Sequence, residues 1–347
     1  MTMDLEGVLA VKVLGLVGSA RKLGNSDILV REALAEASQE GAGTQLIYLA
    51  EKKIDGCQGC MSCVFRGAPC HLKDDVAWLL EQFWEADGLI VGAPTYVLGP
   101  AGPIKLLIDR FLMIGLELEK WWAKPRYGGV ISVAGLRDWN PFGLSLLNLL
   151  LMVYQFEPIG GVKAVRPGPA EVLLDEETLR GARELGQAVV RALEGARSGI
   201  QAEEELGSGL YWRRGQERAD RDGSSGLICP VCGSESFEPE VLKGRLELKC
   251  PICGVRGWVE PSSEPATGSA IPANPGFLIA GREGWPTQDS RGATATFQVT
   301  FAPETIAHSR WSHAALLDHV HNWILATRGI YLANRPRVKP LLARYRS

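Results

Sequence analysis

Between residues 11 and 197 short apolar runs alternate with amphipathic stretches, and this alternation limits the fold more than any other feature of the chain. Residues 12–19, 45–49, 88–93, 127–134 and 158–165 read as buried strands, and 25–40, 74–85, 103–115, 142–154 and 176–193 as helices. Strands joined by helical crossovers run parallel and are covered on both faces. Residues 1–197 are therefore expected to form an α/β domain around a five-stranded parallel sheet. In such sheets ligands bind beyond the carboxyl ends of the strands, where the winding direction switches.

Two loops fall at that edge. GSARKLGNS (18–26) follows the first strand and opens a helix. A phosphate placed there would meet free backbone N–H groups and the positive helix end. The hydroxyls of Ser19 and Ser26, the amide of Asn25 and the guanidinium of Arg21 offer further donors. Neither G-x-x-x-x-G-K-[ST] nor G-x-G-x-x-G is present, which argues against a triphosphate loop and a dinucleotide fingerprint. A turn of this kind can also be merely structural. The third strand runs into GAPTYVLGPAGPIKLLIDRF (92–111), where main-chain amides and small residues could support a flat ring, or form a plain Pro/Gly loop.

Eight cysteines sit in two tight groups, with none left over. In a reducing compartment C-x-x-C spacings mean ligation more often than disulfides. Cys57, Cys60, Cys63 and Cys70 form C-x2-C-x2-C-x6-C inside residues 54–72. Such crowding suits a [4Fe–4S] cluster better than zinc, which favours two separated knuckles; redox-active or structural thiols are the alternative. His71 follows directly and is either a tuning group or a bystander. Cys229, Cys232, Cys250 and Cys253 lie in CPVCG and CPICG on either side of a predicted hairpin. Two knuckles and a hairpin make a zinc ribbon over 227–260, with rubredoxin-type iron as the alternative metal.

GSARKLGNS, the first cysteine run and APTYVLGPAGPIKLLIDR, in this order, resemble the NADPH-dependent FMN reductases of flavodoxin-like fold, and among them the iron–sulfur flavoprotein branch. The resemblance covers about residues 11–197. It implies a sheet in flavodoxin order with FMN as cofactor. Ser19, Arg21, Asn25 and Ser26 would then hold the ribityl phosphate, and Pro94, Thr95, Tyr96, Val97 and Gly99 would line the isoalloxazine. The loop Ala134-Gly135-Leu136-Arg137-Asp138 would close over the flavin, with Gly135 among the cofactor-binding residues. The family commonly forms dimers or tetramers, so a homo-oligomer is expected.

Beyond residue 197 the composition changes. Residues 198–226 read as a solvated linker, 261–304 as an irregular Pro/Gly-rich segment, and 305–347 as a basic helical end with seven Lys/Arg against one acidic residue. A helix over 312–328 would align Leu316, Val320, Trp323 and Ile324 in one stripe, with His319 and His321 pointing apart, so the histidines do not predict a metal site. The ten tryptophans are scattered and read as core and interface residues, with Trp139 a candidate neighbour of the flavin. Net charge is −3 overall, and the ribbon holds four Lys/Arg against five Glu, so no nucleic-acid surface is expected. The longest apolar stretch is too broken to span a membrane, and Asp4 and Glu6 argue against a secretory signal; a soluble, cytoplasmic protein is expected.

The function these features predict is an FMN- and [4Fe–4S]-containing oxidoreductase. It would pass electrons between a reduced carrier, a ferredoxin-like protein or NAD(P)H, and an acceptor that the sequence does not identify. Two rivals are a cluster-free NAD(P)H-dependent FMN or quinone reductase, and a non-catalytic electron-transfer subunit docked on a larger enzyme.

Overall fold

The computed structural model describes residues 11–136 and 139–198, most of 229–261, residues 297–301 and 304, and much of 313–336. The first part opens with β1 (Lys12–Val17), α1 (Asn25–Gln39), β2 (Gly43–Tyr48), α2 (Ser62–Phe65) and α3 (Val76–Glu85). It continues with β3 (Gly88–Tyr96), β4 (Gly99–Pro100), α4 (Gly102–Asp109) and α5 (Leu118–Trp121). It closes with β5 (Tyr127–Ala134), α6 (Gly143–Val153), β6 (Glu157–Val165) and α7 (Glu176–Arg197).

The five long strands pair in parallel, as the alternation predicts, in the order β2-β1-β3-β5-β6, the flavodoxin order that the resemblance implies. The two-residue β4 folds back antiparallel on the end of β3, a hairpin absent from the sequence reading.

Both faces of the sheet are covered, which is why its strands are apolar runs and do not alternate. All eight residues of β5 are buried. One face packs under α1 and α7, the other under α3, α4 and α6. Each fully buried Leu, Ile or Val contributes about 1.5–3 kcal/mol. Gly186 lets α7 lie directly on α1, since a Cβ there would come 2.0 Å from the Ala33 carbonyl oxygen. At the start of α7 the Asp175 carboxylate accepts from the Thr178 N–H at 3.1 Å, with Glu176 and Glu177 in the positive first turn.

A second, antiparallel sheet has the order β10-β9-β8-β7, from β7 (Glu238–Leu242), β8 (Arg245–Lys249), β9 (Arg256–Pro261) and β10 (Phe297–Phe301). The pair β7–β8 is the expected hairpin. The reading of 261–304 as irregular needs correcting, because β10 pairs with β9 from Phe297 opposite Pro261 to Phe301 opposite Gly257. FQVTF has the β-branched, aromatic composition of a strand and covers an otherwise open edge. Residues 199–226 of the expected linker lie outside the described residues, as do 262–296, His308, Arg137 and Asp138.

Near the C-terminus α8 (His313–Asp318) continues as a π-helical turn, His319–Ile324. Leu316 and Val320 are buried in the core beneath α3, α4 and α6. Part of the apolar stripe expected of this segment is therefore core of the α/β domain. His319 and His321 are both exposed, two positions apart on the winding and facing away from each other. Among the described residues no helix is long and apolar enough to cross a membrane.

Candidate functional site

The loop after β1 turns against the end of β3, where the Gly18 N–H donates to the Gly92 carbonyl at 2.8 Å. Ser19 and Ser26 are buried within it, while Arg21 is exposed. The Ser19 hydroxyl accepts from the Arg21 N–H at 3.1 Å. The first N–H groups of α1 have no acceptor inside the helix and open toward this loop. Asn25 departs from expectation. Its amide nitrogen donates to the carbonyls of Arg166 (3.2 Å) and Gly168 (2.8 Å), and its oxygen accepts from the Val172 N–H at 3.1 Å. Both ends of the side chain tie the loop after β6 to α1 and are not available to a phosphate; only the backbone N–H of Asn25 remains for that.

Asp27 is a residue that the sequence reading missed. It is fully buried, and its carboxylate accepts from the Leu23 N–H at 2.6 Å, from Arg31 at 2.8 Å and from the Tyr48 hydroxyl at 3.0 Å. These bonds hold the left-handed Leu23 (φ 54°) and so fix the shape of the loop. The Asp27–Arg31 spacing of four in a helix was the available signal.

At the end of β3, Pro94 and Thr95 are half-buried, Tyr96 and Val97 are exposed, and Gly99 begins β4. Val97 (φ 48°) and Leu98 (φ 73°) sit at the centre of the β3–β4 hairpin, a primed turn that normally takes Asn-Gly. Left-handed backbone at such residues costs about 1–3 kcal/mol each and marks functional loops. The turn is fastened by the Ala101 N–H on the Pro94 carbonyl (3.0 Å) and the Phe142 N–H on the Leu98 carbonyl (3.2 Å). Beneath it the Thr95 hydroxyl donates to Asn140 Oδ1 at 2.7 Å and lies 3.3 Å from the Ser132 hydroxyl, which bonds the same oxygen at 2.9 Å. Ser132 and Asn140 were not foreseen. Gly135 follows β5, where a Cβ would meet Pro167 in ordinary contact at 3.8 Å, and Leu136 and Trp139 are exposed on the same rim.

The first cysteine group lines a shallow cleft that opens to solvent, walled by Met61, Leu72, Arg110 and Met113. Cys57 and Cys60 are exposed, Cys63 and Cys70 half-buried. Left-handed Gly59 and Met61 bend the chain between the first three sulfurs, and α2 supplies one helical turn around Cys63. The Ser62 N–H pushes the Cys60 thiol down from its ordinary range, whereas burial pushes Cys63 up. N–H donors point at sulfur, from Gly59 to Cys57 at 3.5 Å and from Arg110 to Cys70 at 3.4 Å. His71 Nδ1 lies 3.7 Å from Cys60 Sγ, and its Nε2 is 3.1 Å from Gln58. Four thiols on one cleft, with donors turned toward them, fit a thiolate-ligated cluster.

The second group is different in kind. All four sulfurs are fully buried and lie within 4.8 Å of one another, with Cys229–Cys253 and Cys232–Cys250 each at 3.4 Å. Thiolates around a single ion at about 2.3 Å stand roughly 3.8 Å apart, so this set fits one tetrahedral ion. Among the described residues it is the group that converges so closely. Four buried thiols packed this closely contact one another, and a bound cation would take all four as thiolates. The knuckles close through Cys229 N–H to the Ser234 carbonyl and Cys250 N–H to the Val255 carbonyl, each 2.8 Å. The ribbon rests on α6: Asn148 Nδ2 donates to the Cys232 carbonyl at 2.9 Å, and Met152 packs against the cysteines.

Residues 11–139 match the family model of the NADPH-dependent FMN reductases. An iron–sulfur flavoprotein of Methanocaldococcus jannaschii is 34% identical over 194 residues, covering 53% of this chain and 97% of that one. One of Archaeoglobus fulgidus is 31% identical over 185 residues, covering 53% of this chain and 81% of its own. The solved structure of a flavone reductase matches across 97% of both chains with a TM-score of 0.63 at 20% identity, which shows a shared fold.

Proposed function

The chain belongs to the iron–sulfur flavoprotein family and is a flavin-dependent oxidoreductase; from this we propose that it carries electrons between a reduced carrier, ferredoxin or NAD(P)H, and an acceptor by way of a [4Fe–4S] cluster and FMN. Bound FMN supplies hydride and single-electron chemistry, and a cluster supplies single-electron transfer. Ser19, Ser26, Arg21 and the N–H groups opening α1 bind the phosphate, and Asn25 and Asp27 hold that loop in shape. Pro94, Thr95, Tyr96, Val97 and Gly99 line the ring, and the loop at Gly135 closes over it. Cys57, Cys60, Cys63 and Cys70 ligate the cluster. Cys229, Cys232, Cys250 and Cys253 hold zinc, for which rubredoxin-type iron is the alternative. The exposed Tyr96, Val97, Leu136 and Trp139 support a homo-oligomer that covers the flavin rim.

One observation carries this reading. The first cysteine group follows β2 and the ring loop follows β3, so both loops leave the carboxyl edge of one parallel sheet, and Arg110, just past α4, touches Cys70; this juxtaposition supports electron exchange between the two sites. Anaerobic purification followed by analysis of iron, acid-labile sulfide, zinc and flavin tests it, with all four expected. Flavin without sulfide sinks the cluster and leaves a cluster-free NAD(P)H-dependent reductase. Rapid NAD(P)H oxidation by the isolated chain excludes a subunit that only relays electrons inside a larger enzyme.

A further inference from the structure

Arg110 is 2% exposed and its partner Asp74 has a side chain 1% exposed, which is an expensive arrangement for two charges. The guanidinium spreads its donors over three segments. One terminal nitrogen reaches Asp74 Oδ2 at 2.6 Å and the Asp55 carbonyl at 2.9 Å. The other reaches Asp74 Oδ1 at 3.3 Å, Met113 Sδ at 3.4 Å and Cys70 Sγ at 3.4 Å. Asp74 is itself held from the far side by the N–H groups of Asp55 (2.9 Å) and Val76 (3.3 Å). Among the described residues the buried Nε has no partner. A hydrophobic pair would fill this space at lower cost, so packing alone does not account for a guanidinium aimed at a sulfur.

We propose that Arg110 is a positioning residue that sets the reduction potential of the cluster through Cys70, with Asp74 holding it in place and moderating its charge. The inference rests on ligation of the cluster by the first cysteine group. Adding one electron makes a four-thiolate cluster more negative by one charge, with no proton moved. A buried cation that donates to a ligand sulfur favours that reduced state, because hydrogen bonds and nearby charge are the levers that move such potentials. The same contact draws the six-residue excursion between Cys63 and Cys70 back onto the cleft. The fork suits arginine, since lysine is a point charge that cannot reach Asp55, Asp74 and Cys70 together.

The test uses the full chain, prepared anaerobically with flavin and cluster, and reads the cluster midpoint by a potentiometric titration followed by electron paramagnetic resonance. Arg110→Met is expected to lower the ratio of reduced to oxidised cluster at a fixed potential by about tenfold, equivalent to a 59 mV shift for one electron. Flavin content and flavin midpoint stay as in the wild type. Arg110→Lys is expected to fall between the two. Asp74→Asn, which leaves the guanidinium uncompensated, is expected to move the cluster midpoint the opposite way. Arg110→Met or Arg110→Lys holding the cluster at the wild-type midpoint overturns the proposal, and so does Asp74→Asn leaving it unmoved or lowering it. Should both arginine variants lose the cluster, the sign of the Asp74→Asn shift decides. Absence of sulfide from the wild type is a separate result, and it refutes the cluster itself.

Discussion

Replacing Gly92 with Ala probes the phosphate loop without touching any group that would contact the ligand. A Cβ at this position would lie 2.4 Å from Val30 Cγ2 and 3.1 Å from the Ser26 carbonyl oxygen. Ordinary contacts begin near 3.4 Å, so Val30 must withdraw by about 1 Å. Its branched side chain is confined to one rotamer in a helix, so the amino end of α1 has to move with it. That end carries Ser26, and the Gly92 carbonyl also anchors Gly18. Overpacking of this kind costs about 1–3 kcal/mol. If the strain falls on the phosphate-binding arrangement, FMN affinity drops by roughly 5- to 150-fold. Flavin fluorescence titration of the deflavinated chain measures this, with thermal unfolding recorded alongside. Gly102→Ala is the control, because a Cβ there meets nothing within 4 Å although it sits beside the ring loop. Unchanged FMN affinity in Gly92→Ala, together with a lowered unfolding temperature, would show that the strain misses the ligand and would refute the loop assignment.

Cys60→Ala should abolish the broad visible absorbance of a cluster while the flavin bands persist, and an unchanged cluster spectrum would contradict ligation by the first group. Cys250→Ser should release the ribbon metal. Because Asn148 bonds the Cys232 carbonyl, faster hydrogen exchange should then extend from 229–261 into α6, and exchange confined to the ribbon would contradict that docking. Asp175 is pushed up by burial but brought net below its ordinary value by Thr178 and Arg166. A carboxyl depressed in the folded state contributes stability above its unfolded value near 3.8, and this is lost as pH falls through the lower folded value. Asp175→Ala should therefore cost about 0.5–2 kcal/mol at pH 7, a gap that closes in strong acid; a gap independent of pH would be the wrong sign of behaviour.

The parallel sheet was legible because burial on both faces writes each strand as an apolar run, and the crossover helices leave their own period between them. The cysteine groups were legible because ligand spacing is local. The β3–β4 hairpin was not, since Val97-Leu98 is a poor sequence for its turn and only the clamps from Ala101 and Phe142 hold it there. Arg110 was invisible for a related reason. Its partners Asp55, Cys70 and Asp74 lie 55, 40 and 36 residues away, and nothing in LLIDR points to them. Asn25 was read as a phosphate donor from its place in the motif, but the loop after β6 takes both ends of its amide. FQVTF was absorbed into the Pro/Gly-rich stretch before it, although its composition alone suits a strand.

The strained hairpin explains why these pieces belong together. Left-handed backbone at Val97 and Leu98 persists only where the surroundings over-determine it, and two helices do so. One is α4, which starts as the hairpin ends and carries Arg110 to the first cysteine group. The other is α6, whose N-cap residue Phe142 bonds the Leu98 carbonyl and whose Asn148 bonds the ribbon knuckle. The eleven residues of α6 span about 16 Å, so the ring loop and the buried thiols are joined by one rigid element. Each cysteine group thus bears on the same strained turn through its own helix. The ribbon packs on α6, the same helix whose N-cap fastens the turn, so loosening the ribbon should reach the turn through that helix.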